Sequence, residues 1–122
     1  MKYVLLLVLG LAVACMAQLP CIPSKPKDLR VGYITAHDIE IEFSDPDDID
    51  RCPVVGYHAE IEKVEQAGQK IQISSHTPSD QSHYHTFMFL SANTLYKITV
   101  TSISQYDVAS LPATIEAETL HS

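Results

Sequence analysis

Leu90-Ser91-Ala92-Asn93-Thr94-Leu95-Tyr96-Lys97-Ile98-Thr99-Val100 is the stretch that decides the fold. Its second half alternates, with Tyr96, Ile98 and Val100 apolar and Lys97, Thr99 and Thr101 polar. Side chains along a strand repeat every two residues, so this is a half-buried strand with one face on a core. Working outward, the same period recurs. Leu29 and Val31 alternate with polar neighbours, and Ile39-Glu40-Ile41-Glu42-Phe43 is apolar on one side and acidic on the other. Val55, Tyr57, Ala59 and Ile61 continue it, and Ile71 and Ile73 follow the Ala67-Gly68 turn. His83 to Leu90 is strand-like with Phe87 at its apolar end, and Ile115 and Ala117 alternate with Glu116 and Glu118. Ser74 to Ser82 is polar, contains Pro78 and reads as a loop. Seven short strands with turn signals between them, no amphipathic helix and no repeat predict an all-β fold, a seven-stranded antiparallel sandwich.

The N-terminus carries a different signal. Met1-Lys2-Tyr3 is a short basic start, Val4 to Val13 is apolar apart from Gly10, and small residues end at Ala17. That order predicts a signal peptide over residues 1–17. The apolar run is shorter than the ~20 residues a membrane helix needs. An uncleaved anchor and a lipoprotein acylated at Cys15 are the alternatives. Residues 18–26, with Pro20, Pro23 and Pro26, form a stiff extended segment, 27–119 the domain, and 120–122 a tail. Cleavage removes Cys15 and leaves Cys21 and Cys52, an even count suited to an oxidising, extracellular compartment.

The chain has 8 Lys and Arg against 15 Asp and Glu, a formal charge of −7, which becomes −8 when Lys2 leaves with the signal. A polyanionic partner needs a cationic face, so nucleic acid and anionic membrane surfaces are disfavoured. The only Asn, Asn93, lacks the Ser or Thr that N-glycosylation requires two residues on.

The strand order and the quoted stretch resemble the fibronectin type III family over about residues 23–119. Pro23-Ser24-Lys25-Pro26-Lys27-Asp28-Leu29-Arg30-Val31 is similar to that family's proline-led first strand. Phe43 stands where its core Trp is usual, and Gly56-Tyr57 with Ala59 and Ile61 resembles its third strand. Leu90 to Val100 resembles the L-x-P-G-T-x-Y-x-V-x-V run of its tyrosine corner, with Ala92 for Pro and Asn93 for Gly. The resemblance implies a structural core including Phe43, Tyr57, Leu90 and Tyr96. It also implies that the N-terminal end and the loop before the third strand share one pole, so that Cys21 and Cys52 can pair. The loop from Ser104 to Leu111 reaches the same pole. Asp45, Asp47, Asp48 and Asp50, with Tyr106 and Asp107, are therefore the candidate binding-loop residues. The family's Arg-Gly-Asp and Trp-Ser-x-Trp-Ser motifs are absent from the sequence.

Two further clusters carry groups capable of binding a metal. His83 and His85 lie on one side of a strand and could ligate a metal, but they share the parity of Phe87 and no third ligand is placed. Asp45-Pro46-Asp47-Asp48-Ile49-Asp50 offers oxygens for calcium, yet no turn glycine or closing Glu of an EF-hand follows; a solvated acidic loop is the expectation. No G-x-S-x-G or other nucleophile setting occurs, so no catalytic residue, metal or cofactor is expected. The chain reads as a secreted, non-enzymatic binding module whose partner is an extracellular protein with a basic surface. His58, Glu60, Glu62, Glu116 and Glu118 are expected on an acidic outer sheet face, with Lys97 among them. A structural component of an extracellular or mineralised matrix, and a secreted effector or toxin-like protein, are the alternatives. Secreted material is expected to begin at Gln18; intact mass and N-terminal peptide mapping check this, and recovery of Lys2 contradicts it.

Overall fold

The computed structural model describes residues 21–76 and 83–122. The expected signal peptide, the start of the extended segment and most of the expected 74–82 loop lie outside the described residues. The strands are β1 (Lys27–Ile34), β2 (Ile39–Ser44), β3 (Val54–Lys63), β4 (Lys70–His76), β5 (His83–Phe87), β6 (Leu95–Ser104) and β7 (Ala113–Glu118). They form a three-stranded sheet, β1-β2-β5, and a four-stranded sheet, β4-β3-β6-β7. All neighbouring strands run antiparallel. The seven-stranded sandwich implied by composition and spacing is the one observed.

The alternating residues explain the core. Ile39, Ile41 and Phe43 from one sheet meet Tyr57, Ala59, Ile61, Tyr96, Ile98 and Val100 from the other, all buried. Phe87 and Leu90 close the same cluster. Along β6, every second residue from Tyr96 to Ser104 is buried and those between are not. Such two-faced burial is what holds an antiparallel register, since a slip of one residue would send the whole apolar set to solvent.

Three local departures from simple alternation have physical causes. The register between β3 and β6 shifts between Val54 and Gly56, so Val54 turns inward and Val55 outward. Ile71 and Ile73 are exposed because pairing sets Gln72 beside inward-facing Ile61 and Ile73 beside outward-facing Glu60. The strand expected to run from His83 to Leu90 ends at Phe87, and the polar residues Ser74 to His76 belong to β4, paired with Ala59 to Tyr57.

The corner before β6 joins the sheets. The Ser91 amide donates to the Tyr96 hydroxyl at 2.8 Å, while Thr119 Oγ1 donates to the Ser91 carbonyl at 2.6 Å. Asn93 adopts φ 52°, a left-handed conformation that Asn tolerates better than most residues. Tyr96 is 1% exposed. Replacing Tyr96 by Phe keeps the ring but strips the Ser91 amide of its acceptor. A loss of about 1–3 kcal/mol in urea unfolding, with an unchanged circular dichroism spectrum, is expected.

Candidate functional site: the disulfide-pinned pole

One end of the sandwich gathers the start of β1, the end of β2, the start of β3, the end of β6 and the start of β7. The residues leading into β1 are tied there by the Cys21–Cys52 disulfide, whose Cα atoms lie 5.8 Å apart. The acidic loop builds a tight turn, with the Asp48 carbonyl accepting from the Arg51 and Cys52 amides, and so delivers Cys52 to the bridge. Further ties reach back to the N-terminal segment. Asp48 accepts from the Ser24 hydroxyl at 2.7 Å, and Asp47 pairs with Lys27 at 2.5 Å. Asp28 follows at φ 56°, its carbonyl accepting from Arg30.

The second loop is equally ordered. The Ser104 hydroxyl accepts from the Tyr106 and Val108 amides, and the Ser104 carbonyl accepts from the Asp107 amide. Asp107 takes φ 61°, and both Tyr106 and Asp107 are exposed. Two clefts open at this pole. The larger, about 580 Å³, lies between residues 24–29, 46–48 and 112–114. The smaller, about 400 Å³, is formed by Ile22, Pro23, Ser24, Lys25 and Leu111.

The carboxylates of the acidic loop do different things. Asp50 is exposed, and Asp47 and Asp48 bind the N-terminal segment. Asp45 turns inward. It accepts from the Tyr57 hydroxyl and, at 2.7 Å, from His83 Nε2. Phe43 packs edge-on against Tyr57 at 4.9 Å and stacks on His83 at 5.4 Å. Burial, reinforced by the Asp45 carboxylate, keeps the Tyr57 phenol protonated far above its usual range. The His83 side chain has no solvent exposure and Asp45 is only partly exposed, so this Asp–His–Tyr group ties the two sheets together at the end of the sandwich. The sequence placed His83 on the core side; its partnership with Asp45 carried no sequence signal. Among the described residues, no three His, Cys, Asp or Glu side chains gather to hold a metal, and no helix is long and apolar enough to cross a membrane.

The outer face of the four-stranded sheet is less acidic than expected. Glu116 and Glu118 are exposed, with Lys97 paired beside Glu116. Glu60 contacts His58 and Lys70. Glu62 is not an open charge at all, because the turn after β3 folds over it. Its carboxylate accepts from the Gly68 amide at 2.6 Å and from Lys70 at 3.2 Å, and only 5% of the residue is exposed. Those bonds to Gly68 and Lys70 hold it below the ordinary glutamate range.

No protein-family model and no curated protein matches the sequence. Solved structures share the fold. The fn3 domain of human collagen alpha-1(XX) chain superposes with a TM-score of 0.67 at 17% identity, over 86% of this chain and 92% of that one. A structure described as that of a myokine gives 0.66 at 17% identity, over 80% of this chain and 98% of that one. A redesigned β-sandwich gives 0.69 at 18% identity, over 83% and 94%. At these identities the likeness establishes a fibronectin type III-like fold. A disulfide on this fold is consistent with an extracellular domain.

The Cys21–Cys52 bridge spans 31 residues of sequence. Its removal in Cys21→Ser/Cys52→Ser is expected to cost about 3–4 kcal/mol in chemical unfolding by the chain-entropy relation. Glu62 gives a pH signature. Its native pKa is depressed. Its contribution is therefore fully present above the unfolded value and is lost as pH falls through the native one. Glu62→Gln is expected to lose less stability than the parent on acidification from about pH 5 to about pH 2, read by thermal unfolding.

Proposed function

We propose that this protein is a secreted, non-enzymatic binding module that engages an extracellular protein through its disulfide-pinned pole. The observation that carries the reading is the order of that pole. Two loops and the N-terminal segment are tied by the bridge, by the Asp47–Lys27 and Asp48–Ser24 contacts, and by the Ser104 turn. A surface that is already ordered pays little conformational entropy on docking, which leaves more of the contact energy for affinity. The larger cleft offers concavity between the N-terminal segment and the start of β7.

The partner is proposed to present a basic surface, in keeping with the formal charge of −8 left after loss of Lys2. Secretion is supported by the order of residues 1–17 and by the disulfide.

Thr114 is exposed and lines the larger cleft, so Thr114→Arg fills it without touching the core. Binding of the mature domain to its captured extracellular partner is expected to fall at least about tenfold in this variant, measured by surface plasmon resonance. Lys97→Glu, away from the pole, is expected to leave it unchanged. Raising salt from about 0.15 M to about 1 M is expected to weaken the complex. Equal binding by the parent and Thr114→Arg contradicts the pole as the docking surface.

A further inference from the structure

The outer face of the three-stranded sheet is built in cross-strand rows. Arg30, Glu42 and Tyr84 stand side by side on β1, β2 and β5 in one row, and Tyr33, Glu40 and Thr86 in the next. Glu40 and Glu42 point away from the core, because Ile39, Ile41 and Phe43 between them are buried. Side chains directly opposite on neighbouring strands have Cβ atoms about 4.5–5.5 Å apart, so the members of a row are within reach of one another. In the first row Arg30 Nε donates to Glu42 Oε2 at 3.1 Å, beside Tyr84, which is 61% exposed. That row is a complete set of guanidinium, carboxylate and phenol. The second row has the carboxylate and the phenol but no cation. Tyr33 is 45% exposed, and among the described residues no side chain pairs with the Glu40 carboxylate or stacks on the Tyr33 ring.

A bulge in β1 brings the two rows together. The β1–β2 register shifts between Val31 and Tyr33, which leaves Gly32 as the extra residue. Both glutamates lean over it. The Glu40 carboxylate fills the space a Cβ on Gly32 would take, and Glu42 Oε1 lies 3.2 Å from that point. Two carboxylates therefore converge beside a single guanidinium. The other cation of these three strands, Lys27, is held at the pole by Asp47. The remaining acids nearby, Asp28 on β1 and Asp38 in the turn before β2, add further negative charge. Of the nearby bases, His37 is turned to the Leu90 carbonyl.

We infer that the Tyr33–Glu40 row is a docking surface for an arginine side chain of a partner protein, which completes this row as Arg30 completes its neighbour. The incoming guanidinium donates to Glu40 while its plane lies on the Tyr33 ring. A planar, weakly hydrated fork suits both contacts at once, whereas a lysine ammonium is a compact and strongly hydrated point charge. The surface goes beyond the pole proposed above. It lies on a sheet face, toward the end of β2 away from the acidic loop, so its failure leaves that reading untouched.

Amide chemical-shift titration of the oxidised mature chain tests it. The probe is N-acetyl-arginine amide, compared with the lysine amide and with the uncharged citrulline amide, all at constant ionic strength. The Gly32, Tyr33, Glu40 and Thr86 amides are expected to shift and saturate with arginine, about threefold more tightly than with lysine, and to stay unmoved with citrulline. Glu40→Gln is expected to weaken arginine binding about fivefold, and Tyr33→Leu about threefold. Gly32→Ala separates position from charge. Gly32 has no left-handed backbone, and the new Cβ displaces only the flexible end of Glu40. It is expected to weaken binding as Glu40→Gln does, with unchanged net charge and parental thermal unfolding. No saturable shift at these four amides overturns the inference, as do shifts confined to the acidic loop and Asp107. Equal binding of lysine or citrulline amide overturns it too, and so does parental affinity in Glu40→Gln or Gly32→Ala.

Discussion

A single carboxylate holds the upper end of the two sheets together. Asp45 accepts a hydrogen bond from the Tyr57 phenol on the four-stranded sheet and another from the His83 imidazole on the three-stranded one. A buried polar group is costly unless bonded, and the buried Tyr57 and His83 side chains both find the Asp45 carboxylate, Tyr57 reaching it across the sandwich and His83 from the neighbouring strand of its own sheet. The rings of Phe43, Tyr57 and His83 then pack as one aromatic group beneath the loop. Asp45 also opens the acidic loop. Its inward turn sets the direction from which Asp47 and Asp48 reach the N-terminal segment and from which Cys52 meets Cys21.

Periodicity in the sequence was enough to reveal the sandwich. Ile39, Ile41 and Phe43, and likewise Tyr96, Ile98 and Val100, alternate without exception, and each reaches the core. What period two could not convey was any change of backbone state. Phe89 has the parity of Phe87 yet points away, because one left-handed residue reverses the pattern. Val55 is turned outward by a register shift, and Glu62 is covered by a turn whose path depends on Gly68 and Lys70. The acidic loop was legible as a loop and as part of the pole. Its division into one structural carboxylate, two tethered ones and one exposed one was not, since that rests on distances between residues far apart in sequence.

The two sheets leave β4 and β5 as edges on the same side. Unpaired edges invite further strands. Here side chains lace them: Gln72 reaches the Met88 carbonyl, and Ser74 shares a hydrogen bond with His85. This use of polar residues explains why the sequence shows a strand at Ile71 and Ile73 but a loop from Ser74, although β4 runs on to His76. Its inward positions are chosen for crossing between edges rather than for filling a core.

The disulfide has a mechanical consequence. Tension applied at the chain ends enters at Cys21 and passes directly through the bridge to Cys52. β1 and β2 lie inside the closed covalent loop and bear none of it. The 31-residue separation also removes about 100 Å from the length the chain can release when pulled open. Load falls instead on the chain from β3 to β7, β5 included, and chiefly on the four-stranded sheet, where β3 and β6 pair from Val54 to Lys63. In the oxidised state the domain is therefore a short, stiff link, and reduction alone would turn it into a longer, softer one.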